Sequence, residues 1–256
     1  MLVPLQRYFL VPKPNDNKRF MAKKINIILC DTFPGLLPPY IPSYVSMFTN
    51  LFNSVCNDAD YHVYEAMNGV LPDEFRQHEL YVITGCNLSA YDDIAWIKKL
   101  CEWIKEADKA NIKLVGVCFG HQIIAHALGG KVEKAANGWG VGIREAVITD
   151  KTTQQMLGNT ILRLLYNHHD QVVELPKRAT LIASSRFCPI ESFRIDNNII
   201  TFQGHPEYVT DYERHLINNF ADNEPDDTKA AALSSMAQNN HNGKEVADML
   251  VKWIDQ

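Results

Sequence analysis

Cysteine, histidine and glutamate can together cleave an amide, provided the thiol is displayed, the imidazole can exchange its proton, and the acid orients the ring. Two segments of this sequence carry those residue types at suggestive spacing. In the first, Gly116-Val117-Cys118-Phe119-Gly120-His121-Gln122, a cysteine is flanked by glycines two positions to either side. In the second, Gln203-Gly204-His205-Pro206-Glu207, histidine and glutamate are two residues apart, with proline limiting the backbone between them. Residues i and i+2 of an extended segment point to the same side, so Glu207 can hold the His205 ring and stabilise its protonated form.

The first segment follows the apolar run Lys113 to Val117 and precedes a helical pattern from Phe119 to Leu128 that stops at Gly129-Gly130. A G-x-nucleophile-x-G sequence at such a junction forms a sharp elbow that lifts the nucleophile above the sheet. Its glycines remove the β-carbons that would collide where strand and helix crowd together. The helix N-terminus faces Cys118 and favours thiolate over thiol, and the Phe119 N–H is placed to donate to a developing oxyanion. Either segment alone has an ordinary explanation, as a buried core cysteine or a solvated surface pair. Joined, they describe a nucleophile, a base and an orienting acid.

The rest of the chain supplies elements to position them. Ile25 to Leu29, Tyr61 to Ala66, Leu80 to Thr84 and Lys113 to Val117 read as strands. They alternate with helices over Tyr44 to Phe52, Tyr91 to Ala110 and Phe119 to Leu128, the pattern of a parallel sheet covered by helices. The second half changes character. Val141 to Thr149, Gln171 to Leu175, Thr180 to Ser184, Ser192 to Ile195 and Ile199 to Phe202 are short strands, the last two joined by a turn at Asp196-Asn197-Asn198. The tail from about Asp226 closes with helices, one of them over Val246 to Ile254. The expected organisation is a flexible extension over 1–22 and one α/β domain over 23–256: a flavodoxin-like, mostly parallel sheet flanked by helices, with a smaller antiparallel region in its second half.

These motifs resemble the class I glutamine amidotransferase family, whose Cys-His-Glu triad uses the same elbow and His-Pro-Glu segment in the same order. Thr84-Gly85-Cys86, with Tyr91-Asp92-Asp93 after it, resembles the family's oxyanion loop, although a smaller residue usually stands where Cys86 does. Asn167-His168-His169-Asp170-Gln171-Val172, followed by Leu175-Pro176, is similar to the family's S-H-x-D-x-V-x-x-L-P substrate segment, with Asn167 in place of its serine. The resemblance covers about residues 24 to 210. It implies that Cys118, His205 and Glu207 are catalytic and that Gly85 or Cys86 joins Phe119 in binding the oxyanion. It also implies that Gln122, Asn167 and His168 meet the substrate, glutamine or a γ-glutamyl compound. The chemistry needs no cofactor or metal.

Three functions fit: a glutamine amidohydrolase feeding ammonia to a separate synthetase chain, a self-sufficient γ-glutamyl peptidase, and an inactive binding or regulatory module of the same fold. The intact triad speaks against the third. An α/β-hydrolase with a cysteine elbow would place its acid before the histidine in the chain rather than after it.

Other features restrict the reading. A net charge of −5 gives no basic surface for nucleic acid or anionic membrane, and no apolar run approaches a membrane span. Six dispersed cysteines without a C-x-x-C pair fit a reducing compartment, the cytoplasm or also the nucleus. Pro12, Pro14 and Asp16 argue against an amphipathic presequence in the first twenty residues. His121 and His126 fall on different helix faces, and His168 and His169 alternate in an extended segment, so neither pair suits a metal. Gly138-Trp139-Gly140-Val141-Gly142 lacks the strand and helix of a phosphate loop, though Trp139 is placed to line a cleft.

Overall fold

A computed structural model of the chain describes residues 22–220 and 225–256; the expected N-terminal extension falls almost wholly outside them. Five strands form the parallel part of the sheet, in spatial order β2 (Ala59–Glu65), β1 (Lys23–Leu29), β3 (Leu80–Ile83), β4 (Lys113–Val117) and β11 (Ile199–Phe202). Beyond β11 the same sheet continues antiparallel through β10 (Ser192–Ile195), β9 (Ala179–Ser184), β6 (Gly140–Ile148) and β7 (Ile161–His168). A separate antiparallel ribbon pairs β5 (Lys131–Lys134) with β8 (Asp170–Glu174). The expected fold class therefore holds: a mostly parallel, helix-flanked α/β core with an antiparallel region in the second half.

Two apolar cores, one on each face, follow from the helical patterns. On one face α1 (Tyr44–Asn53) buries Tyr44, Met47, Phe48 and Phe52, and α7 (Gly243–Trp253) buries Val246, Leu250 and Trp253. On the other, α2 (Ala95–Lys109) buries Ile97, Leu100, Trp103 and Ile104 beside Ile123 and Ile124 of α3 (Phe119–Ala127). Among the described residues no helix is long and apolar enough to cross a membrane.

Several boundaries differ from the sequence expectation. The helix anticipated from Tyr91 begins at Ala95, because Asp92 closes a turn instead: its carboxylate accepts the Ser89 N–H at 3.0 Å, and its own N–H donates to the Ser89 carbonyl. The closing helices are α6 (Asp226–Gln238) and α7, in line with the reading of the tail. Strands β5 and β7 and the helices α4 (Lys151–Leu157) and α5 (Thr210–Phe220) are additional to it. Strand β7 mixes buried and half-buried positions without clean alternation, so its period is obscured.

Strands β3, β4 and β11 lie side by side in register, Ile83 opposite Gly116 and Val117 opposite Phe202. The segments leaving their C-terminal ends, Thr84-Gly85-Cys86, Cys118 and Gln203 to Glu207, therefore emerge together. That edge is where open α/β sheets bind ligands.

Candidate active site

Cys118 has φ 52° and ψ −104°, a backbone region that ordinary residues avoid at a cost of about 1–3 kcal/mol. Surrounding contacts enforce it. A β-carbon on Gly116 would stand 2.4 Å from the Gly120 carbonyl oxygen, and one on Gly120 would stand 2.2 Å from that of Ile83. Strand and helix meet more closely than any other residue pair would permit. The Cys118 N–H still donates to the Phe202 carbonyl at 2.9 Å, which locks the elbow to β11. As the first helical residue, Phe119 has no intrahelical acceptor for its N–H.

The Cys118 side chain is 7% exposed and forms the floor of a cleft of about 340 Å³, near the lower end of the range for small-molecule sites. Cys86, Gln122, Asn167 and His168 line the same cleft, so the structure brings together most of the residues expected there. Trp139, Tyr91, Lys134, His169 and Asp170 complete its walls.

His205 and Glu207 lie behind the thiol, fully buried. Nδ1 of the ring and Oε1 of the carboxylate are 2.7 Å apart. The His205 N–H donates to the Leu165 carbonyl at 2.7 Å, tying this irregular segment to β7. Burial opposes a charged imidazole, but its electrostatic interactions with Glu207 and Cys118 outweigh that and raise the His205 pKa to about 10. Nε2 is buried and finds no hydrogen-bond partner among the described residues. Ring and thiol flank one point: a β-carbon on Gly85 would lie 3.2 Å from His205 Cε1 and 3.8 Å from Cys118 Cβ. Such an arrangement can hold an imidazolium beside a sulfur and hand its proton to a departing group.

Sequence reasoning missed the tyrosines here. Tyr208 stacks on the His205 ring, centroids 3.8 Å apart and planes 18° apart, and Tyr212 meets Tyr208 edge-on. Tyr44 is buried with its hydroxyl donating to Glu207 Oε1 at 2.9 Å and accepting the Gly85 N–H at 3.2 Å. The Ser43/Ser46 capping box fixes the start of α1, where Tyr44 is the first residue. That box is visible in the sequence; the direction of the tyrosine is not.

The same contact bears on the two oxyanion alternatives. The Gly85 N–H is taken by Tyr44, so of the two oxyanion alternatives it is Cys86 whose N–H lacks an acceptor among the described residues. Gln122 is also partly engaged, its amide nitrogen donating to the Asp170 carbonyl at 2.8 Å and to Gln203 Oε1 at 3.2 Å. His168 is buried, its Nδ1 3.0 Å from the Asp170 carbonyl, and burial lowers its pKa to about 3, so the ring is neutral. His121 is likewise buried, 2.8 Å from Thr201 Oγ1 and lowered to about 3, whereas His126 is exposed. Among the described residues no group of three or more histidine, cysteine or acidic side chains could hold a metal.

Residues 82–223 match the family described as glutamine amidotransferase class-I. The chain is 37% identical over 157 residues to γ-glutamyl peptidase 3 of Arabidopsis thaliana, covering 58% of this chain and 63% of that protein. It is 33% identical over 124 residues to a glutamine-hydrolyzing GMP synthase subunit of Pyrococcus abyssi, covering 47% of this chain and 65% of that one. The chain thus spans less than two thirds of the length of either relative. A crystal structure of a glutamine amidotransferase from Thermotoga maritima superposes with a TM-score of 0.71 at 18% identity, over 91% of this chain and 99% of that one, a likeness of fold. Because the family match takes in more than half of the 256 residues, and with them the elbow and the His-Pro-Glu segment, the chain belongs to the class I glutamine amidotransferase family.

Proposed function

We propose that this chain is a cysteine-dependent amidohydrolase that cleaves the side-chain amide of glutamine or of a γ-glutamyl compound through a γ-glutamyl thioester. The observation that carries this reading is Cys118 held in a strained turn at the floor of a cleft, with the His205–Glu207 pair buried directly behind it. Membership of the class I glutamine amidotransferase family supports this chemistry.

Cys118 Sγ attacks the amide carbon, and the N–H groups of Phe119 and Cys86 take up the oxyanion charge. Collapse of the tetrahedral intermediate breaks the C–N bond as His205 Nε2 gives its proton to the leaving nitrogen. Water then attacks the thioester, His205 receives the proton, and glutamate departs with the thiol restored. Glu207 keeps the imidazole oriented and offsets its positive charge. Gln122 contributes its free carbonyl oxygen to the amino-acid end of the substrate, because its amide nitrogen is committed elsewhere; Asn167 and His168 form the facing wall.

A relative named γ-glutamyl peptidase and an open cleft support peptide substrates, while the relative named for GMP synthase supports delivery of ammonia to a separate synthetase chain. Incubating the protein with glutamine, glutathione and γ-glutamyl dipeptides, and following ammonia and glutamate separately, discriminates between them. Glutamate together with free amine from the dipeptides supports the peptidase, and ammonia from glutamine alone supports the partnered glutaminase. Release from none of them removes the hydrolytic reading.

A further inference from the structure

The wall of the Cys118 cleft carries a cation that no step above uses. Lys134 ends β5, exposed at the cleft mouth, directly opposite Asp170 of β8 in the ladder. Side chains facing each other in an antiparallel pair stand close enough to form an ion pair. Here they do not. Asp170 turns to Ser89, whose hydroxyl donates to its carboxylate at 2.6 Å, and the nearby acid Glu133 pairs with Lys131 at 2.7 Å. Among the described residues Lys134 forms no ion pair, although one acid lies across the ladder and another beside it in the chain. The cleft therefore presents an ammonium without an ion-pair partner, and Trp139 lines the same cleft, its ring 5.1 Å from that of His169 at a tilt of 30°.

Resting on the γ-glutamyl reading above, we infer that Lys134 is a substrate-binding residue that takes a carboxylate of the substrate at the cleft mouth. The buried floor is already filled by the thiol, the neutral His168 and the committed Gln122 amide, and none of these offers a cation. A cation attracts an anionic group that comes to rest beside it, and among the described residues Lys134 is the only lysine or arginine lining the cleft. Two carboxylates could reach it: that of the released amino acid and the α-carboxylate of the glutamyl group. Both share the same chemistry.

The test compares γ-glutamylglycine with γ-glutamylglycinamide, which differ only in the leaving-group carboxylate, for the wild type, Lys134→Met and Lys134→Arg. Lys134→Met should lose about tenfold in kcat/KM on γ-glutamylglycine, mainly through KM, while Lys134→Arg, which keeps the charge, should lose far less. A loss confined to γ-glutamylglycine assigns the leaving-group carboxylate; an equal loss on both substrates assigns the glutamyl α-carboxylate. If Lys134→Met stays within about twofold of the wild type on both, Lys134 reads no carboxylate and the inference fails. A wild type inert on both would instead overturn the γ-glutamyl reading beneath it.

Discussion

The floor and the mouth of the cleft are built on different principles. At the floor Cys118 is only 7% exposed, and behind it His205, Glu207 and Tyr44 are at most 3% exposed, linked to one another and to the loop after β3 by hydrogen bonds. At the mouth, Trp139 is 36% and Tyr91 44% exposed, and Lys134 stands free of ion pairs among the described residues. Rigid, dry surroundings strengthen electrostatic interactions and hold geometry, which suits bond breaking. A wet, loosely held rim can adapt to different leaving groups but contributes little to chemistry. Replacements at the floor should therefore act on kcat, and replacements at the mouth on KM.

The largest effect should come from the sulfur. Cys118→Ala is expected to lose on the order of 10⁴-fold or more in turnover while keeping its melting temperature, since it removes the nucleophile and leaves the elbow glycines intact. Glu207→Gln should cost roughly ten to a hundred times less, because an orienter is less indispensable than a nucleophile. Steady-state kinetics on one substrate ranks the two; the opposite order would contradict the assigned roles.

Tyr44→Phe should be milder, about tenfold in kcat, but with a distinctive signature. The hydroxyl shares Glu207 Oε1 with His205, so its loss concentrates the carboxylate's charge on the imidazolium. The His205 pKa is already raised to about 10 by Glu207 and Cys118, and removing a competing donor should raise it further. The alkaline limb of the kcat profile, where His205 loses the proton needed by the leaving group, should then move to higher pH. A tyrosine that served packing alone would leave that limb where it was. The replacement also leaves the Gly85 N–H without its acceptor, so part of the loss belongs to the oxyanion loop.

Much of this floor was legible in the sequence because it depends on short-range steric rules. Glycines flanking Cys118 imply an elbow, and the reason is the 2.4 and 2.2 Å clashes that a β-carbon on Gly116 or Gly120 would make. His205 and Glu207 two residues apart imply a shared direction, and the 2.7 Å contact follows. The parallel strands β1, β3 and β4 were readable as apolar runs because they are covered on both faces. What stayed hidden depends on long-range placement. Tyr44 lies 163 positions from Glu207, and nothing local announces their hydrogen bond. Strand β7 was missed although it receives the His205 N–H, since its role comes from pairing with a segment far along the chain. The engagement of the Gly85 N–H is a consequence of that same tyrosine.

Intact-protein mass spectrometry of a rapidly quenched reaction with a γ-glutamyl substrate tests the covalent step most directly. The expected result is a mass increase of one γ-glutamyl group, mapped to Cys118 by peptide digestion and absent from Cys118→Ala. Turnover with no adduct in the wild type, or the same adduct in the alanine variant, would contradict nucleophilic catalysis by this cysteine.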